Sequence, residues 1–579
     1  MPGKTTGKER TSKRETDAAR RPWSVEYAEK IAAGEIITSR RVRMVYEKHL
    51  RDMADENYPY WFDSKAGQRA VRFVEGFCRQ AEGEIGAPIV LDLWQKAFVE
   101  MLFGWKAKAT GLRRFTEAML LVGRKNGKTT LLAGIALYML IADGEGAAEC
   151  YSVATKRDQA AKVFKAACNM RAQSAEIAAL TKKRRTDLYV PDTFSFFTPL
   201  GANADTLDGL NAHLVIVDEM HAIRGRALYD VMKQSQSSRR QPLMLEITTS
   251  GFERESIFDD QYQYACDVIE GKTPEPVEDF LALLYELDER EEWTDENAWV
   301  KANPGLGTIK KWDTLRKYVK QAKAQPKFLP TVLCKDFNVK EVTGEAWLSW
   351  EVIDNRLTFD PEILRDTYAI GGCDLSSTTD LTCATLLIRR PRDEMVYVLQ
   401  QYFLPEERIR EVDGGGGTGY EAPYSIWRDR GLLTACPGTM VDYSMVTAWF
   451  VDACKSLEIN PLWICYDRAL SGYWVPEMES YGFEMERTPQ GPITWSQPMK
   501  EMGATFEAKR VNYNNNPMLK WCLSNVQAKS LNAKGIQTIQ PEKISDNRRI
   551  DGMVSLLNAW VGYVKHYDEY MDLVGVSGK

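Results

Sequence analysis

The sequence predicts an α/β protein made of two successive sheet domains. The first is a doubly wound, mainly parallel sheet with a helical lid subdomain, and three observations point to the whole arrangement. An apolar strand, Leu120-Leu121-Val122, runs into the loop Gly123-Arg124-Lys125-Asn126-Gly127-Lys128-Thr129-Thr130, which opens an apolar helix. Further on, Leu214-Val215-Ile216-Val217 has the composition of a buried parallel strand and ends in two carboxylates, Asp218-Glu219. The C-terminal half repeats the pattern with different chemistry: apolar strands carry Asp374 and Asp467, and a helix opens at Asp551.

In a loop of the first kind, backbone N–H groups and a helix N-terminus face phosphates, the Lys reaches the β/γ-phosphates and the Thr hydroxyl holds Mg²⁺. Gly123 to Gly127, Lys128, and Thr129 with Thr130 fill those positions. The loop has three residues between its glycines where the common pattern has four. Adjacent carboxylates at the end of a buried strand are costly unless paired or bound to metal. An ATPase needs both, Asp218 for the Mg²⁺ shell and Glu219 to orient or deprotonate the attacking water. The pair of motifs predicts a chain that binds and hydrolyses a nucleoside triphosphate.

Composition narrows the class. At 579 residues, 44% hydrophobic and 27% charged, the chain can build two or three ordinary cores. The net charge of −6 means that any nucleic-acid contact must be a local patch. Eleven cysteines without a CxxC pair read as reduced core thiols. The apolar stretch Ile135 to Ala142 is too short to span a bilayer. Only four histidines, His49, His213, His221 and His566, argue against a His-based metal or nucleophile site.

Taken in order, residues 1–25 read as a disordered basic arm and not a secretory signal, since Met1 to Arg21 has no apolar core. The first sheet domain is expected over 26–251, a helical lid or linker over 252–346, and the second domain over 347–579. Tyr27 to Tyr58 looks helical and amphipathic. In Trp94-Gln95 the amide can read an adenine edge while an aromatic or apolar neighbour covers the base; taken alone, the segment reads as an amphipathic helix whose Trp is core. Leu243-Met244-Leu245-Glu246-Ile247 is a second buried strand, and its hydroxyl-rich end, Thr248-Thr249-Ser250, faces the ligand crevice of a doubly wound sheet. Thr249 is thus a candidate γ-phosphate contact. Asp313 is expected to cap a helix that stops before Pro326. Lys156-Arg157 and Lys182-Lys183-Arg184-Arg185 are either phosphate contacts or solvated surface.

In the second domain, strands Tyr368 to Asp374 and Leu462 to Asp467 end in acids. Met553, Leu556, Leu557, Trp560, Val561 and Val564 form the core-facing stripe of a helix whose mouth is Asp551. Three such acids suit a two-metal phosphodiesterase site, because Mg²⁺ or Mn²⁺ takes oxygen ligands and a pair about 4 Å apart stabilises both the attacking and the leaving oxygen. Asp380 and Asp442 are the reserve acids. Asp413 to Gly419, rich in glycine, is expected to be a mobile loop.

The order of these motifs resembles the large terminase subunit of tailed double-stranded DNA bacteriophages. The resemblance runs from Trp94-Gln95 through the phosphate loop, Val217-Asp218-Glu219-Met220-His221-Ala222, Arg239-Arg240-Gln241-Pro242 and Thr248-Thr249-Ser250-Gly251. It continues to Asp374-Leu375-Ser376-Ser377-Thr378-Thr379-Asp380, Tyr466-Asp467 and Ile550-Asp551-Gly552. It implies an ASCE-type P-loop ATPase followed by an RNase H-like nuclease. Arg124, four residues before the loop Lys, would act on the γ-phosphate. It also implies a motor that drives double-stranded DNA into a procapsid and cuts concatemers, with ATP and Mg²⁺ at one site and two Mg²⁺ or Mn²⁺ ions at the other. Portal protein, a small terminase subunit and a homo-oligomeric ring would be the partners, in the host cytoplasm, without a membrane or a place in the mature virion. Many such proteins carry an Arg-Gly upstream of the carboxylates as a finger for the neighbouring subunit. This chain has Leu207-Asp208-Gly209-Leu210 there, leaving Arg239, Arg240 or Arg254 as the trans candidates. Two other readings fit the motifs: a helicase or translocase with an appended nuclease, and an assembly factor with an inactive RNase H-like domain.

Overall fold

The computed structural model describes residues 21–154, 157–201, 209–223, 226–252, 256–343, 346–413, 423–533, 536–545 and 548–576. Their first sheet is eight-stranded, in the order Phe280–Leu284, Glu117–Leu121, Leu243–Thr248, Ala212–Asp218, Glu149–Ala154, Ser195–Gly201, Leu188–Val190 and Lys182–Lys183. The first six strands are parallel, and the last two join the sheet through antiparallel pairings. The central strands are buried along their whole length, as their apolar sequences require of a sheet covered on both faces. The loop strand and the carboxylate strand are not neighbours. Leu243–Thr248 lies between them, so its hydroxyl-bearing end sits between Lys128 and Glu219 in the sheet order.

The fold departs from the sequence expectations at several places. The segment 252–346 is not wholly helical: Phe280–Leu284 is a strand of this sheet, pairing in parallel with Glu117–Leu121. Its run Phe-Leu-Ala-Leu-Leu is buried throughout, and the charged helices around it masked the signal. The first core accordingly extends from Trp23 to Tyr285. The N-terminal helix begins at Trp23, inside the stretch expected to be a basic arm, and Trp23 and Tyr27 are buried in that core. Tyr27 to Tyr58 is two helices, Trp23–Ala32 and Arg40–Ala54. Asp313 lies in the first turn of Trp312–Ala324 and does not cap it; Lys311 holds that position. The helix does end before Pro326. Together with Leu329–Phe337 it packs around Trp299, Leu315, Val319, Leu333 and Phe337. The glycine tract at 414–419, Arg254 and Leu207-Asp208 lie outside the described residues.

The second sheet has seven strands. Its main order is Leu433–Cys436, Val396–Pro405, Thr382–Arg389, Tyr368–Asp374, Asn460–Tyr466 and Met485–Arg487, with Val511–Asn512 paired to Val396–Pro405. Tyr368–Asp374 and Asn460–Tyr466 run in parallel with Cys373 opposite Tyr466, so Asp374 and Asp467 end adjacent strands. Helix Asp551–Lys565 lies against this sheet at close range. A Cβ on Gly372 would stand 2.2 Å from Ser555 O and 2.7 Å from Ala559 N, which only glycine tolerates. Ser555 Oγ donates to Gly372 O (3.1 Å) and Asn558 Nδ2 to Cys373 O (2.9 Å). This seam brings Asp551 to the acid-bearing end of the strand. Among the described residues no helix is long and apolar enough to cross a membrane.

Candidate nucleotide and metal sites

The phosphate loop is held from outside by the lid. Gly123 N donates to Ala302 O (3.0 Å) and Arg124 N to Lys335 O (2.9 Å). The buried Asn126 gives its amide to Gly123 O (2.9 Å) and Asn303 Oδ1 (3.0 Å) and accepts from Gly305 N (3.0 Å). Two of the N–H groups expected to face phosphate are therefore committed to the lid, and the Asn126 side chain is a structural fastener. Gly123 must be glycine, because a Cβ there would lie 2.5 Å from Asn303 Oδ1 and 2.7 Å from Asp336 O. Lys125 and Gly127 take left-handed backbone (φ 64° and 78°) as the chain turns into helix Lys128–Ile141. Thr129 and Thr130 stand exposed on the first turn of that helix, and the Arg124 and Lys125 side chains are exposed at its mouth.

Lys128 Nζ donates to Val122 O (3.0 Å). Burial lowers the Lys128 ammonium to about 8, against the opposing pull of Glu219 and Asp218. Asp218 is pushed up to about 6 by burial and by the neighbouring Glu219 charge. Glu219 moves the other way: burial would raise it, but His221, Lys128 and Lys335 together bring it down to about 2. It is the member of the pair that stays ionised, as a group that polarises water must. Glu219 is also in left-handed backbone (φ 55°), an uncommon state for a non-glycine residue, and its N–H is held by Ile247 O (2.9 Å). Thr249 is fully buried and its Oγ1 has no hydrogen-bond partner among the described residues.

One expected nucleotide contact and one expected finger are placed differently, while Gln95 stays beside the phosphate loop. Trp94 is buried in the first core, edge-to-face with Tyr285, and is a packing residue and not a base cover. Gln95 is buried in the capping box of helix Leu93–Gly104, where its Oε1 accepts from Asp92 N (3.0 Å). Its Nε2 faces the loop, 3.2 Å from where a Gly127 Cβ would stand. Arg239 is a clamp between loops that precede the strands. Its guanidinium donates to Asn211 O (2.9 Å), Gly146 O (3.3 Å) and Ala147 O (2.7 Å) and pairs with Glu145 (3.5 Å). Arg240, beside it, is exposed.

In the second domain the acids crowd one another. Burial and then the charges of Asp551, Asp467 and Asp380 push the Asp374 carboxyl well above its ordinary range. Asp551 rises to about 7 through burial and Asp380. Its Oδ2 is buried with no hydrogen-bond partner among the described residues. A buried carboxylate pressed by neighbouring acids, with one oxygen left unpartnered, fits a site completed by a hard cation. No three His, Cys, Asp or Glu side chains among the described residues are drawn together as ready ligands of one ion. Asp380, whose charge acts on both Asp374 and Asp551, is paired with Lys543 (2.9 Å) and Arg549 (3.1 Å), and Asp442 caps helix Tyr443–Ser456.

A third feature joins two basic groups from separate parts of the chain. Arg157 and Lys165 on helix Arg157–Gln173 and Lys183 and Arg185 beside the sheet edge line one open cleft of about 430 Å³ over Phe164, with Asp158 at its side. Among the described residues none of the four cations has a carboxylate within 4.0 Å. Lys156 lies outside the described residues.

From sequence, His221 stands out only as part of a motif, and Asn303 and Lys335 do not stand out as site residues at all. Two signals point to this part of the site: a histidine two residues after a catalytic-type carboxylate, and the turn cluster Ala302 to Gly307.

The family model for the ATPase domain of the terminase large subunit matches residues 93–267, and that for its endonuclease domain matches residues 277–566. The large terminase subunit of Enterobacteria phage HK97 is 28% identical over 508 residues, covering 85% of this chain and 94% of the relative. The terminase large subunit of Lactococcus phage SK1 is 22% identical over 509 residues, 85% of this chain and 91% of the relative. The crystal structure of the HK97 large terminase aligns with 86% of this chain and 99% of its own at 23% identity, with a TM-score of 0.46. Neither a free-standing helicase nor an inactive assembly factor is favoured by these matches. The chain belongs to the large terminase subunits, the ATPase and endonuclease of phage DNA packaging.

Proposed function

We propose that this chain works as a portal-docked ring of subunits in the host cytoplasm, moving double-stranded DNA into a procapsid with ATP and cutting it at a separate two-metal site. The observation that carries the reading is the pairing, in one chain, of Lys128, Asp218 and Glu219 at the ends of the first sheet's strands with Asp374 and Asp467 at the ends of adjacent strands of the second and Asp551 at the mouth of the helix packed on it. At the first site Lys128 neutralises the β/γ-phosphates, Arg124 approaches the γ-phosphate, and Thr129 with Asp218 would hold Mg²⁺. Glu219, ionised, orients the attacking water while Thr249 offers its hydroxyl to the nucleotide. At the second, Asp374, Asp467 and Asp551 would hold two Mg²⁺ or Mn²⁺ ions, which supply charge stabilisation to both oxygens of the cleaved phosphodiester. The ATPase unit runs from Trp23 to Gly251 and is completed by the strand Phe280–Leu284, the lid follows to 346, and the nuclease occupies 347–579.

Portal and small-subunit contacts predict that portal-bearing procapsids raise ATP turnover beyond the effect of DNA alone. With Arg239 committed within its own subunit, Arg240 is the remaining described candidate for trans action. The basic cleft is our candidate for the DNA contact. Lys183→Glu with Arg185→Glu should weaken duplex binding about equally for all sequences and reduce the slope of log affinity against log salt by roughly 2, about one unit for each phosphate that is no longer neutralised. Fluorescence anisotropy across a salt series measures both. An unchanged slope would remove the cleft from the DNA path.

A further inference from the structure

His221 stands where four parts of the motor meet. Its Nδ1 is 2.9 Å from Thr248 Oγ1 and 3.2 Å from Glu219 Oε2. Its Nε2 is 3.0 Å from Lys335 Nζ. The imidazole lies against Gly251, where a Cβ would come within 2.8 Å of His221 Cβ and 2.9 Å of Cδ2. The glycine that ends Thr248-Thr249-Ser250-Gly251 thus makes room for the ring.

The hydrogen bonds fix the tautomer. A lysine ammonium has only donors, so Nε2 accepts from Lys335 and Nδ1 carries the proton. Thr248 Oγ1 already donates to Thr249 O (2.7 Å), which makes it an acceptor for Nδ1–H. The Nδ1–H is therefore given to the Thr248 hydroxyl, and it lies in electrostatic contact with the Glu219 carboxylate, whose Oε2 is 3.2 Å away and has no hydrogen-bond partner among the described residues. Lys335 is tied in two further directions. Its Nζ donates to Ser250 O (2.9 Å), and its carbonyl accepts from Arg124 N in the phosphate loop (2.9 Å). It is buried in the lid helix Leu329–Phe337, beside Asp336, which is held by Lys310 (2.7 Å).

We propose that His221 and Lys335 are positioning residues that form one relay, aiming Glu219 at the attacking water and tying that aim to the phosphate loop, the Thr248–Gly251 segment and the lid helix. The relay touches neither phosphate nor metal; it acts through Glu219. Movement of Leu329–Phe337 relative to the loop would be felt at the carboxylate through the Lys335–His221 hydrogen bond and the His221–Glu219 contact, so ATP turnover depends on where the lid sits.

The inference rests on Glu219 being the water-orienting group, and the experiment separates the two claims. In the full-length chain, ATP turnover and nucleotide affinity are measured for Glu219→Gln, His221→Ala, His221→Asn, Lys335→Met and the His221→Ala/Lys335→Met pair. His221→Ala should lower kcat by roughly 10- to 100-fold, the cost of a misplaced catalytic group, with ATP affinity close to that of the parent chain. His221→Asn, whose amide N–H can stand in for Nδ1–H, should recover part of that loss. Lys335→Met should also act on kcat, and the double variant should be little worse than the poorer single one, as members of one unit are not additive. Parent-like kcat in His221→Ala beside an inactive Glu219→Gln would overturn the relay while leaving Glu219 in place. Multiplying effects in the double variant, or an equal loss in His221→Asn and His221→Ala, would also overturn it. Normal turnover in Glu219→Gln would instead overturn the assignment on which the relay stands.

Discussion

Lys128→Ala abolishes ATP hydrolysis in this account, and Glu219→Gln separates binding from turnover. Lys128 brings the only side-chain charge of the loop that is half-buried beside both carboxylates, where burial holds its ammonium near 8. Removing it leaves the transferring phosphoryl group without its fixed counter-charge, a loss on the order of 10²–10³ or more in kcat for a preorganised electrostatic group. Glu219→Gln keeps the shape of the side chain but cannot accept a proton, and should lose roughly 10²–10⁴ in kcat, the usual worth of a positioned general base. Phosphate release gives turnover and a fluorescent ATP analogue gives affinity. Lys128→Ala should fail in both, Glu219→Gln in the first alone. Parent-like phosphate release by Glu219→Gln would withdraw the role given to that residue.

Asp374→Asn should end DNA cutting and leave the motor running. Asp374 sits at the end of a strand in a sheet of its own, between the Asp467 strand and the Asp551 helix. The exchange removes one charged oxygen ligand, and Mg²⁺ tolerates few departures from its octahedral oxygen shell. Plasmid nicking in Mg²⁺ should drop to background, with partial recovery in Mn²⁺. ATP turnover should match the parent chain. Because the native carboxyls repel one another, deleting one charge should not lower the melting temperature measured without divalent metal, which excludes unfolding as the cause. Intact Mg²⁺-dependent nicking in this variant would move the site to other acids.

The parts of the fold that were legible were those whose period and punctuation agree. The loop, the strand before Asp218, the Tyr368–Asp374 strand and the Asp551 helix each combine an apolar run with a residue that ends or opens it. Phe280–Leu284 was missed because five apolar residues among charged helices carry no period of their own, and only the space beside Glu117–Leu121 makes them a strand. Trp94 shows the opposite error: its place before a phosphate loop suggested a ligand contact, and the packing against Tyr285 decided otherwise. Arg239 was a candidate by motif, but its role comes from three backbone carbonyls that no sequence reading could bring together. The site acids were readable one by one; their crowding was not. The same holds for Asn303 and Lys335, which are distant in sequence from the loop they hold and were visible only once the lid was in place.

The central claim is that ATP hydrolysis at Lys128 and Glu219 moves DNA, independently of the nuclease. The most direct test is nuclease protection of linear double-stranded DNA by portal-bearing procapsids, using the Asp374→Asn chain with ATP and, in parallel, the Glu219→Gln chain. The account predicts ATP-dependent protection with Asp374→Asn and none with Glu219→Gln. Full ATP turnover by Asp374→Asn without any protected DNA, or protection by Glu219→Gln, would contradict it.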